Sequence, residues 1–277
     1  MTTQATMLRP SRATADGIDF LRRAGTTDAP SLVLLHGIGS NASSFVPLMA
    51  ALPDDMDIVA WNAPGYAASR ALDPAQPSPR DYAAALSRLL DALAIGRVLL
   101  CGHSLGALFA ASFAASHPLR VGALALVSPA LGYGIPPGAP LPPNVQARID
   151  EVQALDLDSF AAKRAPRLVH APDSKPQIVA AVRDAMAAVN PSGYVQAVHA
   201  LGAGDLLGDA NAITAPTSVA VGAEDVITPP ANARKAYDAL QNAVGFHEIA
   251  GAGHALPQEN PAAMAAVLAE LVERIDG

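Results

Sequence analysis

The sequence predicts an α/β protein in which a mostly parallel central sheet has helices on both faces and carries a helical insertion. Short apolar runs of strand length alternate with helix-like stretches, as is typical of parallel strands buried on both faces. Between residues 132 and 210 this alternation stops, and only helix-like patterns occur. We therefore expect a core of residues 1–131 and 211–277, with residues 132–210 forming a helical cap that is not an independent domain.

The elements of the first half follow from apolar spacing and turn residues. Asp16-Gly17, between segments 6–13 and 18–24, predicts a short antiparallel hairpin. Apolar runs predict strands at residues 32–35, 57–61, 98–101 and 122–128. Helices are predicted at residues 45–52 and 79–95, and in the second of these the apolar residues recur at the spacing of one helix face.

The insertion opens with a segment rich in glycine and proline, and its helices are predicted at residues 145–155, 177–189 and 194–201. The α/β pattern then resumes. It predicts a strand at residues 217–222, a helix at 231–240, a strand at 245–250 and a last helix after Pro261.

Composition and charge exclude several classes of function. The 277 residues are 51% hydrophobic, enough for a large core, and the formal net charge is −7. We expect no nucleic-acid partner and no anionic membrane partner, because the chain has no basic cluster. It also has no apolar segment of signal-peptide or membrane-spanning length, so we expect a cytoplasmic protein. The single cysteine, Cys101, ends an apolar run and is expected to be buried and unreactive.

The segment Gly102-His103-Ser104-Leu105-Gly106 is the strongest chemical signal in the sequence. It follows an apolar run and precedes a stretch of small residues, a pattern of strand, sharp turn and helix. A serine on such a turn presents its hydroxyl at the end of the sheet, and glycines flank it where backbone segments approach closely. Ser104 is therefore the predicted nucleophile.

A serine nucleophile needs a base and an acid that orients the base. In a parallel sheet such groups gather at the carboxyl ends of the strands. His254 follows the predicted strand 245–250, and either Glu224 or Asp225 follows the strand 217–222. His103, beside Ser104, is expected to point away from it. The histidines are not spaced as metal ligands, so we expect no metal.

Backbone N–H groups are the expected stabilisers of a developing oxyanion. Leu105 supplies one directly after Ser104, and Ile38 supplies the second, with Gly39 as the alternative. The run Gly37-Ile38-Gly39 does not continue as a dinucleotide-binding motif, since alanine stands where the third glycine belongs. We expect no cofactor.

In chain order, these motifs resemble the α/β-hydrolase superfamily, specifically its small bacterial members with a helical cap. The resemblance covers essentially the whole chain. The motifs that carry it are His36-Gly37 with its glycine loop, Trp61-Asn62-Ala63-Pro64-Gly65-Tyr66, the Ser104 segment, Gly222-Ala223-Glu224-Asp225 and Gly253-His254. It implies the α/β-hydrolase fold and a triad of Ser104, Asp225 and His254, which favours Asp225 over Glu224. It also implies a pocket between core and cap.

The resemblance leads to three hypotheses about function. The first is a serine hydrolase that cleaves a small carboxylic ester or lactone through an acyl-enzyme. The second is hydrolysis of a carbon–carbon bond in a ring-cleavage or β-diketone substrate, which is disfavoured because Ala255 stands where that branch often has an aromatic residue. The third is a ligand-binding or signalling protein that keeps the fold. Branches that open epoxides or remove halogen have an aspartate at the position of Ser104 and are excluded.

The expected partner is a small ester, lactone or ketone, and the sequence is also compatible with a homodimer. Candidate residues for substrate binding are Gly37, Gly39, Phe45, His103, Tyr133, Ile135 and Val226. The cap arginines Arg164, Arg167 and Arg183 are interpreted as solvated charges, with binding of a substrate carboxylate as the alternative.

Overall fold

The protein is built around an eight-stranded sheet. The computed structural model describes residues 9–26, 30–136 and 138–275. The strands lie in the order β1-β2-β4-β3-β5-β6-β7-β8. They are β1 Ser11–Ala15, β2 Ile18–Arg23, β3 Ser31–Leu35, β4 Ile58–Trp61, β5 Val98–His103, β6 Val121–Val127, β7 Thr217–Gly222 and β8 Ala243–Ile249. Strand β2 pairs antiparallel with β1 and β4, and all other neighbours are parallel. The mostly parallel sheet is thus as predicted.

Helices connect these strands and make up the insertion. Those of the core are α1 Val46–Ala51, α2 Pro79–Ala92, α3 Leu105–Ser116, α9 Pro230–Ala239, α10 Leu256–Glu259 and α11 Pro261–Val272. The helices between β6 and β7 are α4 Pro143–Ala154, α5 Leu157–Arg164, α6 Pro176–Ala187, α7 Pro191–Ala203 and α8 Leu206–Ala210. We call these five helices and their connections the cap. Short 3₁₀ turns occur at Ala42–Phe45, Pro118–Arg120, Ala165–Leu168 and Pro172–Ser174.

Both faces of the sheet are buried. Alternate residues of β3 point to opposite faces: Val33 packs into the core beneath α2 and α3, whereas Leu34 packs into the core beneath α1 and α11. Neither side chain is exposed to solvent. Burial of a side chain of this size contributes about 1.5–3 kcal/mol. The continuous apolar strands in the sequence are therefore explained by two helical layers.

The predicted elements differ from the structure mainly at their ends and in short helices. The predicted helix 79–95 stops at Ala92, because Ala94 adopts a left-handed backbone with φ of 54°. Helices α5, α8 and α10 were not predicted. The hairpin is present from Ser11 onward, and residues 6–8 of the predicted first strand lie outside the described residues.

The cap lies over the carboxyl end of the sheet, and its chain leaves the carboxyl end of β6 and returns to the amino end of β7. Its described residues contain no strand, only an isolated bridge between Gly132 and Asp205. Helix α7 approaches the core turn at Gly65 so closely that a Cβ on Gly193 would lie 2.0 Å from the Gly65 carbonyl oxygen. Only glycine permits this contact. None of the helices described has the length and hydropathy to cross a membrane.

Candidate active site

Ser104 lies on a strained turn between β5 and α3. Its φ of 55° and ψ of −116° fall outside the regions that most residues adopt. A Cβ on Gly102 would lie 2.3 Å from the Gly106 carbonyl oxygen, and one on Gly106 would lie 2.1 Å from the Leu35 carbonyl oxygen. The two glycines flanking the serine are thus required by close backbone approach, as the sequence predicts.

Three side chains from distant parts of the chain meet at this turn. Ser104 Oγ lies 3.0 Å from His254 Nε2, and His254 Nδ1 lies 2.9 Å from Asp225 Oδ2. All three side chains are buried, with relative exposures of 7%, 4% and 2% for Ser104, His254 and Asp225. The carboxylate beside Nδ1 favours the imidazole tautomer that is protonated there, which leaves Nε2 free to accept the serine proton.

The surroundings of Asp225 keep it ionised. Its Oδ1 accepts hydrogen bonds from the backbone N–H groups of Ile227 and Thr228, at 2.8 and 2.9 Å. Burial acts to raise the pKa of Asp225, but His254 and these N–H groups outweigh it and lower the pKa to about 2. Glu224, the other acid in this turn, accepts instead from the Ala252 N–H at 3.1 Å. Of the two acids, Asp225 is the one that reaches the imidazole.

Thr228 is a site residue that sequence reasoning missed. Its hydroxyl lies 3.0 Å from Asp225 Oδ2 and 3.1 Å from His254 Nδ1, and it also lies 2.9 Å from the Ser128 carbonyl oxygen. The side chain therefore braces the acid–base pair against the end of β6. A threonine three residues after the acid was the available signal, because Asp often caps backbone N–H groups at that spacing.

Two contacts hold the loop that carries His254. His103 Nε2 donates to the His254 carbonyl oxygen at 2.7 Å, and the Ala255 N–H donates to the Leu168 carbonyl oxygen of the cap at 2.8 Å. Burial, reinforced by the neighbouring His254, lowers the pKa of His103 to about 3, so its ring is neutral. The imidazole of His103 is thus directed at the loop backbone rather than at the Ser104 hydroxyl.

Glu259 is a second unpredicted residue on this loop. Its carboxylate is fully buried, and Oε1 accepts from the Gly253 N–H at 2.8 Å. Oε2 accepts from the His170 N–H at 2.9 Å and from Lys175 Nζ at 2.8 Å. Because His170 and Lys175 belong to the cap, Glu259 ties the residue before His254 to the cap. No local pattern reveals this role, since the contacts span more than eighty residues.

The glycine loop after β3 is held from two sides. His36 Nδ1 donates to the Gly37 carbonyl oxygen at 2.8 Å and its Nε2 accepts from the Ala63 N–H at 3.0 Å, while the Tyr66 hydroxyl donates to the Ile38 carbonyl oxygen at 2.6 Å. Burial lowers the pKa of His36 to about 4. Within the described chain, the N–H groups of Ile38 and Leu105 have no protein acceptor. Both are therefore available to a ligand.

A cavity of about 430 Å³ extends from Ser104 between core and cap. Of the residues predicted to bind substrate, Gly37, Gly39, Phe45, His103, Tyr133 and Val226 line it, and so does Ile38, the predicted oxyanion donor. Ile135 is not among the residues that line it. The Ile135 N–H donates to the Gly202 carbonyl oxygen at 2.9 Å, which joins its backbone to the end of α7.

The cap contributes charged and aromatic residues to the cavity that the sequence did not single out together. Arg148, Arg164 and Arg167 line it, whereas Arg183 does not. Met186 reaches over the glycine loop, and Tyr194 of α7 is buried against the cavity wall.

Cys101 lies in β5, shortly before the Ser104 turn. It is buried, as expected, and burial raises the pKa of its thiol to about 12. No cluster suited to a metal ion occurs in the described ranges.

A strained serine at a strand–helix turn, in contact with a histidine–aspartate pair under a helical cap, defines a hydrolase of the α/β type. The chain belongs to the α/β-hydrolase fold family, whose sequence model matches residues 30–261.

Two known proteins are similar over most of the chain. Pimeloyl-[acyl-carrier protein] methyl ester esterase of Chromobacterium violaceum is 30% identical over 232 residues, which cover 82% of this chain and 87% of that protein. The crystal structure of the enol-lactonase from Burkholderia xenovorans superposes with a TM-score of 0.82 at 25% identity, over 95% of this chain and all of that one.

A third relative matches a shorter part. A 2-hydroxy-6-oxononadienedioate/2-hydroxy-6-oxononatrienedioate hydrolase of Pseudomonas putida is 38% identical over 124 residues, which cover 41% of each chain. These relatives are all named hydrolases. The chain is accordingly a hydrolase, and the expectation of a non-catalytic binding protein is set aside.

Proposed function

We propose that this hydrolase cleaves a small carboxylic ester or lactone through an acyl-enzyme formed on Ser104. The observation that carries the proposal is the unbroken hydrogen-bonded series from Ser104 Oγ through His254 to Asp225, with distances of 3.0 and 2.9 Å. Distances in this range suit proton transfer. By its name, the C. violaceum relative acts on a methyl ester, and the B. xenovorans relative acts on an enol-lactone. These substrates support the proposal that this chain also cleaves an ester or lactone bond.

In this mechanism His254 Nε2 takes the proton of Ser104 as Oγ attacks the substrate carbonyl carbon. Asp225 holds the imidazole in place and stabilises its charged form. The N–H groups of Ile38 and Leu105 donate to the oxyanion of the tetrahedral intermediate, a contribution of about 10²–10³ in rate per donor. His254 returns the proton to the leaving alcohol. Water then attacks the acyl-enzyme with the same base and releases the acid.

The proposal is tested by Ser104→Ala. The variant should lose at least about 10³-fold in kcat on short p-nitrophenyl esters, since the nucleophile itself is removed. A fluorophosphonate probe should label wild type at Ser104, as read by mass spectrometry of the peptide, and should not label the variant. Full ester turnover by the alanine variant would overturn the proposal.

Carbon–carbon bond hydrolysis on the same residues is a second candidate, favoured by the similarity to the P. putida hydrolase. The two reactions differ in the leaving group. In carbon–carbon cleavage it is a carbanion, which is protonated at carbon, whereas in ester cleavage it is an alkoxide, which is protonated at oxygen. Parallel assays with a ring-cleavage dienoate and with short esters separate the two. A higher kcat/KM on the dienoate would replace the ester proposal with this one.

A further inference from the structure

The cavity that contains Ser104 has a cationic wall. Arg148 of α4, Arg164 of α5 and Arg167 of the following turn all line it. Among the described residues that line this cavity, none is aspartate or glutamate. The chain as a whole carries a formal net charge of −7. The cavity wall, with three guanidinium groups, is thus positively charged although the protein is negatively charged overall.

Only one of these arginines is neutralised by a carboxylate. Arg164 Nε donates to Glu151 Oε2 at 2.7 Å, and Glu151 also accepts from Lys163 Nζ at 2.6 Å. Arg148 lies beside the hydroxyl of Tyr194 instead, and its charge acts to lower the pKa of that hydroxyl. Arg167 has no hydrogen bond or ion pair with any residue in the described part of the chain. Among the described residues, neither Arg148 nor Arg167 therefore has a carboxylate partner.

The same three arginines also line an open groove of about 600 Å³ on the cap, between α4 and α5. They stand where the inner cavity meets this outer groove. A group held by them is thus in the cavity wall, shielded on one side by the cap. Arg148 is half-buried, whereas Arg167 is exposed, and attraction between opposite charges is stronger at a partly buried site such as that of Arg148 than in water. An arginine guanidinium also matches the planar geometry of a carboxylate with paired donors.

We propose that the natural substrate carries a carboxylate, which Arg148 and Arg167 bind while its ester or lactone carbonyl lies at Ser104. Arg164, held by Glu151, adds to the positive potential without giving up its own partner. This inference rests on the proposed function, because it names the substrate class of the same site. It makes Arg148 and Arg167 determinants of specificity rather than solvated surface charges.

Matched pairs of esters test the proposal. Monomethyl adipate is compared with methyl hexanoate, which places the charge on the acyl side. The acetate ester of γ-hydroxybutyrate is compared with butyl acetate, which places it on the alcohol side. We expect the anionic member of at least one pair to have a kcat/KM at least about tenfold higher. The pair that shows the preference tells which side of the substrate bears the carboxylate.

Three variants locate the effect. Arg148→Gln and Arg167→Gln should each lower the anionic-to-neutral ratio of kcat/KM by about tenfold. Arg183→Gln is the matched control, because Arg183 lies on the cap helix α6, pairs with Asp184 at 3.1 Å and does not line the cavity. Its ratio should equal that of wild type. An equal loss in all three variants would overturn a specific carboxylate site.

Binding to Ser104→Ala separates this proposal from the proposed function. Titration calorimetry with adipate at low salt should detect binding that Arg167→Gln weakens. Neutral and anionic esters hydrolysed equally well, with no binding of adipate, would overturn the carboxylate site and leave ester hydrolysis standing. Arginine-dependent binding of adipate, without hydrolysis of any ester, would support the carboxylate site and overturn the ester proposal.

Discussion

The contacts of Glu259 predict that a neutral replacement at this position damages both stability and turnover. The carboxylate accepts two backbone N–H groups and one ammonium group, shared between its two oxygens. In Glu259→Gln one oxygen becomes an NH₂ group that faces at least one of these donors. A buried donor left without an acceptor costs about 1–3 kcal/mol, and loss of the ion pair with the largely buried Lys175 adds about 1 kcal/mol.

The variant should therefore unfold with a free energy about 2–4 kcal/mol below that of wild type, as measured by urea titration. Its kcat should fall by about tenfold to hundredfold, because the Gly253–His254 segment is no longer fixed relative to Ser104. Turnover is measured at a temperature where circular dichroism shows the variant to be folded. Glu270→Gln, an exposed change on α11, is the control. If Glu259→Gln matched this control in both measurements, the coupling of the cap to the histidine loop would be refuted.

Two further changes test the site and the seating of the cap. Asp225→Asn should lower kcat by up to about 10⁴-fold, because an amide does not hold His254 in the required tautomer. Since the folded pKa of Asp225 is about 2 against an ordinary 3.8, the carboxylate stabilises the fold above about pH 4 by about 2 kcal/mol, and this stabilisation is lost as pH falls toward 2. The difference in urea-unfolding free energy between wild type and Asp225→Asn should accordingly shrink over that interval, and a difference that stayed constant would contradict the assigned shift. Gly193→Ala should destabilise by more than about 2 kcal/mol in thermal melts, because its Cβ meets the Gly65 backbone. Gly96→Ala, where a Cβ meets nothing within 4 Å, should be neutral, and equal melting of the two glycine variants would speak against the close approach of α7.

Local patterns in the sequence predict those parts of the molecule whose causes are local. The strand at residues 217–222 agrees with β7 at both ends, because its apolar residues 219–221 lie between Pro216 and the turn that begins at Gly222. The turn at Ser104 is recognisable because a side chain at either glycine would clash with nearby backbone. A Cβ on Gly102 would meet the Gly106 carbonyl, and a Cβ on Gly106 would meet the Leu35 carbonyl at the end of β3. Helix α5 was missed because its amphipathic pattern is weak, although Asp156 caps it through the Ser159 N–H.

The rest of the site depends on contacts between distant segments. Glu259 contacts His170 and Lys175. These two residues precede β7 and β8 in the sequence, whereas Glu259 follows both strands, so only the folded chain brings them together. Arg167 and Arg183 look alike in the sequence, and only the packing of the cap decides that one lines the cavity and the other faces solvent.

The point at which the cap enters the chain has a consequence for synthesis. Ser104 leaves the ribosome long before Asp225 and His254, because the whole of α4 to α8 is translated between them. A nascent polypeptide that ends within the cap carries Ser104 but lacks both Asp225 and the imidazole of His254, which lies 3.0 Å from the Ser104 hydroxyl in the folded protein. The three side chains can meet only after β7 and β8 have joined the sheet.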